Sequence, residues 1–201
     1  DMLTSRYFLK YMNDGLIKYK NSKNVASIHG YSYPNSLTKR KIYYFFLRGS
    51  DCWGWATWKR AWKYYTYDSK KLYSQIMKRN LSKEFNFNNS YDYTGMLKQN
   101  IQKKNNSWAI KWYASTFIKN MYTLYPSKSF ILNIGNDNTG THSDYNERYN
   151  VKLNTNYKKI ENIQITENNI AKEEFAKFFF SLKNFSKLRK IFNIYEKIFK
   201  N

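Results

Sequence analysis

Cysteine, histidine, proline, glycine and carboxylate are all scarce in this 201-residue chain. The one cysteine, Cys52, excludes an intramolecular disulfide, argues against a cysteine-based zinc centre and points to a reducing, cytoplasmic setting. The two histidines, His29 and His142, leave little for a His-rich metal centre. No run of about 18 apolar residues is present, which excludes a spanning helix of the usual kind. There is no signal-peptide apolar region or transit segment, and the first residue is Asp1 rather than Met. A processed product, a truncated one, or a true start further upstream is therefore expected. Asp and Glu number 14 against 35 Lys and Arg, so each acid inside a motif carries more weight than usual.

What is abundant is basic and aromatic. The formal net charge is +21, and aromatic residues make up 20% of the chain. Such a charge invites a nucleic-acid or anionic-membrane partner. Plentiful Lys, Asn, Tyr, Ile and Phe with little Ala, Gly and Pro is also the amino-acid bias of an AT-rich genome. Both readings stay open on charge alone. With 42% hydrophobic residues the chain can bury a real core, and its length suits one domain or one domain with an appendage.

Helices are expected at 4–20, 69–80, 91–104 and 107–121. In the first, Thr4 or Ser5 is the candidate cap, Tyr7, Phe8, Tyr11 and Met12 share a face, and Asp14-Gly15 is expected to interrupt the helix and end it before a second turn. Ser107 caps the fourth, where Trp108, Ala109, Trp112 and Phe117 recur at helical spacing. Strands are expected at 25–34, 43–48, 122–126 and 129–135, with a short candidate at 158–165. Lys39-Arg40-Lys41 reads as a turn. Residues 48–62 hold four of the six tryptophans, with Gly49 and Gly54 opening a loop into a helix from about Ala56. Residues 136–150 read as a loop. After 150 the character changes to two helices, 167–182 and 185–200, the last basic and amphipathic. Mixed α and β with few strands suggests a small α+β domain or part of a larger α/β sheet.

An acid at a strand-to-loop junction before a helix can hold a divalent cation against a diphosphate, but by itself Asp1 reads as a solvated surface residue and only its context lifts it. DMLTSRYFLKYMNDGLIKY, SIHGYSYP, CWGWATWKRAW, SWAIKWYASTFIKNMYTLYP and SFILNIGNDNTGTH follow one another over residues 1–145. This ordered series resembles the second half of bacterial sugar transferases with the glycosyltransferase A-type fold. They are related to the large family-2 group and more distantly to N-acetylglucosaminyltransferase I. The resemblance implies an α/β chain, the C-terminal portion of a Rossmann-like glycosyltransferase A-type fold. Residues 1–150 would be the metal and acceptor side of the catalytic domain, and 151–201 a basic helical tail.

The implied activity is transfer of a sugar from a nucleotide-sugar donor to a glycan or lipid-linked acceptor in surface polysaccharide or lipopolysaccharide assembly, with inversion. Manganese or magnesium would bridge the diphosphate and an acidic triplet of which Asp1 would be the last member. His142, in Gly140-Thr141-His142, would be a further metal ligand or a phosphate contact, against an ordinary loop histidine. Trp53, Gly54 and Trp55 fit an acceptor-site wall, since flat aromatic faces stack on sugar rings. Gly54 also fits a plain backbone requirement, and core packing suits Trp58 and Trp62. His29, Gly30 and Tyr31 form a second acceptor-side stretch, with a structural histidine as the alternative.

The catalytic base departs from the family pattern. Where relatives carry an acid before the SWAIKW helix, this chain has Asn105 and Asn106, and an amide takes no proton. Asp51 is then the candidate base, ahead of Asp92 and Asp137, with Asn106 and Trp108 beside the acceptor. The nucleotide-binding half that precedes the acidic triplet in such enzymes, on the order of 100 residues, is not in the chain. A fragment with a bare sheet edge and exposed apolar surface would follow, unless it rearranges or oligomerises. The last helix would lie on an anionic membrane at the inner face or pack on the domain. Two other function classes remain: a nucleic-acid module, against which the ordered tryptophan motifs argue, and a non-catalytic sugar- or partner-binding relative, which Asn106 favours.

Overall fold

The computed structural model describes residues 2–135 and 147–183. Its centre is a four-stranded mixed sheet of β2 (Val25–His29), β3 (Tyr44–Arg48), β4 (Trp55–Thr57) and β5 (Tyr122–Pro126) in the order β3-β5-β2-β4. β2 and β5 run parallel, while β3 with β5 and β2 with β4 are antiparallel. β1 (Met2–Thr4) and β6 (Ile131–Asn133) form a separate antiparallel ribbon. The helices are α1 (Phe8–Lys18), α2 (Lys59–Trp62), α3 (Ser69–Lys78), α4 (Ser82–Phe85), α5 (Tyr93–Ile101) and α6 (Trp108–Ile118), followed by α7 over 169–183. The chain is thus mixed α/β. Among the described residues no helix is long and apolar enough to cross a membrane.

The sheet is buried on both faces, and the period of two in β3 shows how. Tyr44 and Phe46 enter one core with Tyr11, Met12, Leu124 and Phe130, whereas Phe45 and Leu47 enter the other with Tyr113, Phe117, Tyr125 and Phe175. A register shift between Val25 and Ser27 puts Val25 and Ile28 into the same core although they are an odd three positions apart. α6 forms as the pattern predicts: the Ser107 hydroxyl caps it by accepting from the Ile110 N–H, and Trp112 and Phe117 are buried.

Four expectations are corrected. α1 does not break at Asp14-Gly15, because the missing Cβ lets the helix lie on Ile28; a Cβ at Gly15 would sit 3.1 Å from that side chain. Neither Thr4 nor Ser5 is its cap residue: Thr4 belongs to β1, and Tyr7 caps the helix without a side-chain bond. No helix starts at Ala56. Trp55–Thr57 instead pairs with β2, and α2 begins at Lys59, since the open backbone of β2 outweighs local helix propensity. Residues 158–165 form no strand, although Ile160 is buried and packs with Ile163 and Ile165 against the α1-side core.

The outer edge of β3 is met at two points: the Asn168 N–H donates to the Phe46 carbonyl at 2.9 Å, and the Arg48 N–H donates to the Glu167 carboxylate at 3.2 Å. Exposed apolar side chains do occur at Met2, Leu3, Leu9 and Ile17. The described part of the tail shares the main core, with Ala171, Phe175, Phe178 and Phe179 buried against it. The helix expected at 185–200 lies outside the described residues.

Candidate active site

β3 leads into Gly49, whose positive φ of 87° turns the chain back across the sheet; a Cβ there would meet the Tyr113 ring at 2.3 Å. The loop that follows, 49–53, is tied to the sheet by buried hydroxyls. Thr123 donates to the Gly49 carbonyl at 2.7 Å, and Ser27 and Thr123 lie 3.2 and 3.0 Å from the Ser50 hydroxyl. This fastening brings Asp51 to the wall of a cavity of about 550 Å³. Trp53, Tyr91, Tyr93, Asn106 and Trp108 line it as well. Asp51 is the one charged side chain among its described lining residues.

The Asp51 carboxylate is oriented from two sides. The Tyr33 hydroxyl donates to Oδ2 at 2.9 Å and the Cys52 N–H donates to Oδ1 at 2.7 Å. Burial, with the Asp51 charge adding to it, raises the phenols of Tyr33, Tyr93 and Tyr125 well above the usual range. They are therefore neutral hydrogen-bond donors at any ordinary pH. Burial also pushes the Cys52 thiol up, which leaves it protonated and unreactive.

The structure separates the predicted residues. Asp51, Trp53, Asn106 and Trp108 come together at the cavity. His29 and Tyr31 stand behind its wall: Tyr31 meets Trp53 edge-on at 4.8 Å and donates to the Tyr149 carbonyl at 2.7 Å. His29 is fully buried, its Nε2 is 3.8 Å from Asp51 Oδ2, and neither ring nitrogen has a hydrogen-bond partner. Burial lowers its pKa to about 4 in spite of the neighbouring carboxylate, so it is neutral at pH 7.

Gly30 and Gly54 shape backbone. The Gly30 N–H donates to the Gly54 carbonyl at 2.7 Å, and a Cβ on Gly30 would lie 2.7 Å from that same oxygen. Trp55 sits outside the cavity, 5.7 Å from Trp108 and 5.9 Å from Trp112.

The metal candidates Asp1 and His142 lie outside the described residues, as does Asp137. Among the described residues no group of three or more His, Cys, Asp or Glu is placed to hold a metal ion. Asp92, the rival base, is occupied as the cap of α5, accepting from the Gly95 N–H at 2.8 Å. Asn105 is likewise structural, bonded to Asn100, Met96 and Ser107.

Sequence reasoning missed Tyr33, Tyr91, Tyr93 and Tyr113, which are four of the nine other aromatic residues lining the cavity. They come from separate segments and had no motif to mark them among 20 tyrosines. Family models, curated proteins and solved structures were compared with the chain, and none matches it.

Proposed function

We propose that this chain is a glycosyltransferase unit with the A-type fold, in which the cavity beside Asp51 takes the acceptor sugar. The observation that carries the reading is the lone, doubly oriented carboxylate at the wall of an aromatic chamber. Aromatic faces suit the C–H faces of a pyranose, and a carboxylate within reach of a hydroxyl suits a general base.

In the reaction the acceptor hydroxyl donates to Asp51. As its oxygen bonds to the anomeric carbon of the donor, the bond from that carbon to the diphosphate breaks and the proton passes to the carboxylate. Attack opposite the departing diphosphate inverts the anomeric centre. Tyr33 keeps the carboxylate aimed through the step. The family resemblance adds a divalent cation, manganese or magnesium, to this reading, and a setting at the cytoplasmic face of a membrane.

The test is turnover of nucleotide sugars, with and without manganese, by the chain and by a form extended upstream. Asp51→Asn should lower kcat by about 10²–10⁴ while leaving KM nearly unchanged. Undiminished turnover in that variant would remove Asp51 as the base. Failure of every form to bind a nucleotide sugar would remove the activity. A non-catalytic glycan-binding relative is the second reading, favoured by amides at the rim where an acid was sought. It is supported by glycan binding without turnover.

A further inference from the structure

Trp108 belongs to two structures at once. It lines the cavity, and it packs into an aromatic cluster outside it, 5.7 Å from Trp55 and 6.3 Å from Trp62. The cluster continues outward. Trp62 stacks on Tyr65 at 4.8 Å with the rings nearly parallel, and Tyr65 meets Tyr67 edge-on at 4.8 Å. Trp108 is 43% exposed, Trp62 39% and Tyr67 79%. Fully buried Trp112 supports this row from beneath, 5.0 Å from Trp62. Large rings exposed side by side and anchored to the core are the makings of a binding surface.

The charge around the row has one sign. Residues 52–67 and 93–135, which supply its rings and most of the cavity, carry nine Lys and Arg and no Asp or Glu. Nine is close to the chain's average for that length, so the one-signed charge comes from the lack of acids between the bordering Asp51, Asp68 and Asp92. Lys111 lies 5.9 Å from the Tyr67 ring, and Lys63 and Lys119 lie 5.3 and 5.8 Å from Tyr64. None of these three lysines is in an ion pair among the described residues. The nearest acid along the chain, Asp68, is occupied in accepting the Lys71 N–H at the start of α3.

We propose that this cation-edged row of rings is an extended subsite for an acidic oligosaccharide, its sugar rings stacking from Trp108 outward to Tyr67 and its carboxylate groups meeting Lys63 and Lys111. That such a chain serves as the acceptor rests on the glycosyltransferase reading of the cavity. Continuity through Trp108 favours a glycan over a nucleic acid. A polynucleotide carries a phosphate on every unit and would be repelled where the row reaches Asp51. An acidic glycan can present a neutral hydroxyl there while its carboxylates remain over the lysines. Stacking and ion pairing together also limit the subsite to polymers that carry both groups.

The test is calorimetric titration of the whole chain with a hyaluronan hexamer, in which glucuronic acid alternates with neutral N-acetylglucosamine, and, separately, with a neutral hexamer of N-acetylglucosamine. The acidic hexamer should bind at least tenfold more tightly than the neutral one and lose affinity with added salt. Trp108→Ala and Trp62→Ala should each weaken it about tenfold, as loss of one stacked ring would. Both side chains are partly exposed, and the double charge reversal Lys63→Glu with Lys111→Glu gives the same readout without touching the rings.

No binding of the acidic hexamer, or binding indifferent to all of these variants, overturns the proposal. So does tighter binding of polyuridylate or phosphatidylserine vesicles with the same dependence on rings and lysines, which would assign the row to nucleic acid or membrane. Hexamer binding without sugar transfer leaves the subsite standing and overturns the catalytic reading. Asp51-dependent transfer without hexamer binding does the reverse.

Discussion

The Tyr33 hydroxyl donates to Asp51 Oδ2 at 2.9 Å across 18 residues of chain, joining the exit of β2 to the loop after β3. Together with the Cys52 N–H it aims the one carboxylate among the cavity's described lining residues. Tyr33→Phe keeps the ring, which packs against Phe175 and Phe179, and removes only the donor. A hydrogen bond to a charged group contributes about 1.5–3 kcal/mol, and Asp51 is partly exposed, so the expected loss is about 1.5 kcal/mol. The midpoint of urea unfolding measures it. A midpoint equal to that of the unaltered chain would show that the bond is not formed in solution.

His29 sets a pH dependence whose sign is fixed by its burial. The folded pKa, about 4, lies below the unfolded value of about 6.5, so between the two the unfolded chain binds the extra proton. The neutral imidazole therefore contributes stability fully above about pH 6.5, and this is lost progressively as pH falls toward 4. The span corresponds to about 3 kcal/mol. Unfolding free energies from pH 7 to pH 4 should fall steeply in the unaltered chain and less so in His29→Gln. Parallel curves would contradict a neutral, buried His29.

Gly54 has a φ of +57°, and a Cβ there would lie 2.5 Å from Ile131. Gly54→Ala should cost about 1–3 kcal/mol from the backbone alone, with the clash against Ile131 added. Thermal unfolding checks this. A variant as stable as the parent would mean that the loop and β6 can separate freely.

Thr123→Val removes the hydroxyl that donates to the Gly49 carbonyl and reaches Ser50, at nearly constant volume. We expect about 1–3 kcal/mol of destabilisation, because the Gly49 carbonyl loses a buried partner. Combined with Ser27→Ala the losses should be non-additive, since both hydroxyls serve the same loop. Strict additivity in the double-mutant cycle would separate the two contacts.

Much of the secondary structure was legible because its causes are local. α6 announces itself by Ser107 and its ring spacing, and β3 by a run of aromatic residues with a partner core on each face. β4 was illegible because its strand state is imposed by β2, far away in sequence. Gly15 was misread for a related reason: its effect is steric fit to Ile28, not loss of helix propensity. Within the site, Asp51, Trp53, Asn106 and Trp108 stood out through their motifs. Tyr33, Tyr91 and Tyr113 did not, because in a chain this rich in tyrosine only the fold separates a cavity wall from ordinary core.

The contribution of α7 has a temporal side. Phe175 and Phe179 close one wall of the cavity that Asp51 and Tyr125 also line. During synthesis, everything up to β6 can emerge and pack while that wall is still missing. The chamber is enclosed only when residues near 180 are present and packed on the sheet. Enclosure of the chamber therefore hangs on α7, and a chain cut before Phe175 would own the carboxylate but not the room around it.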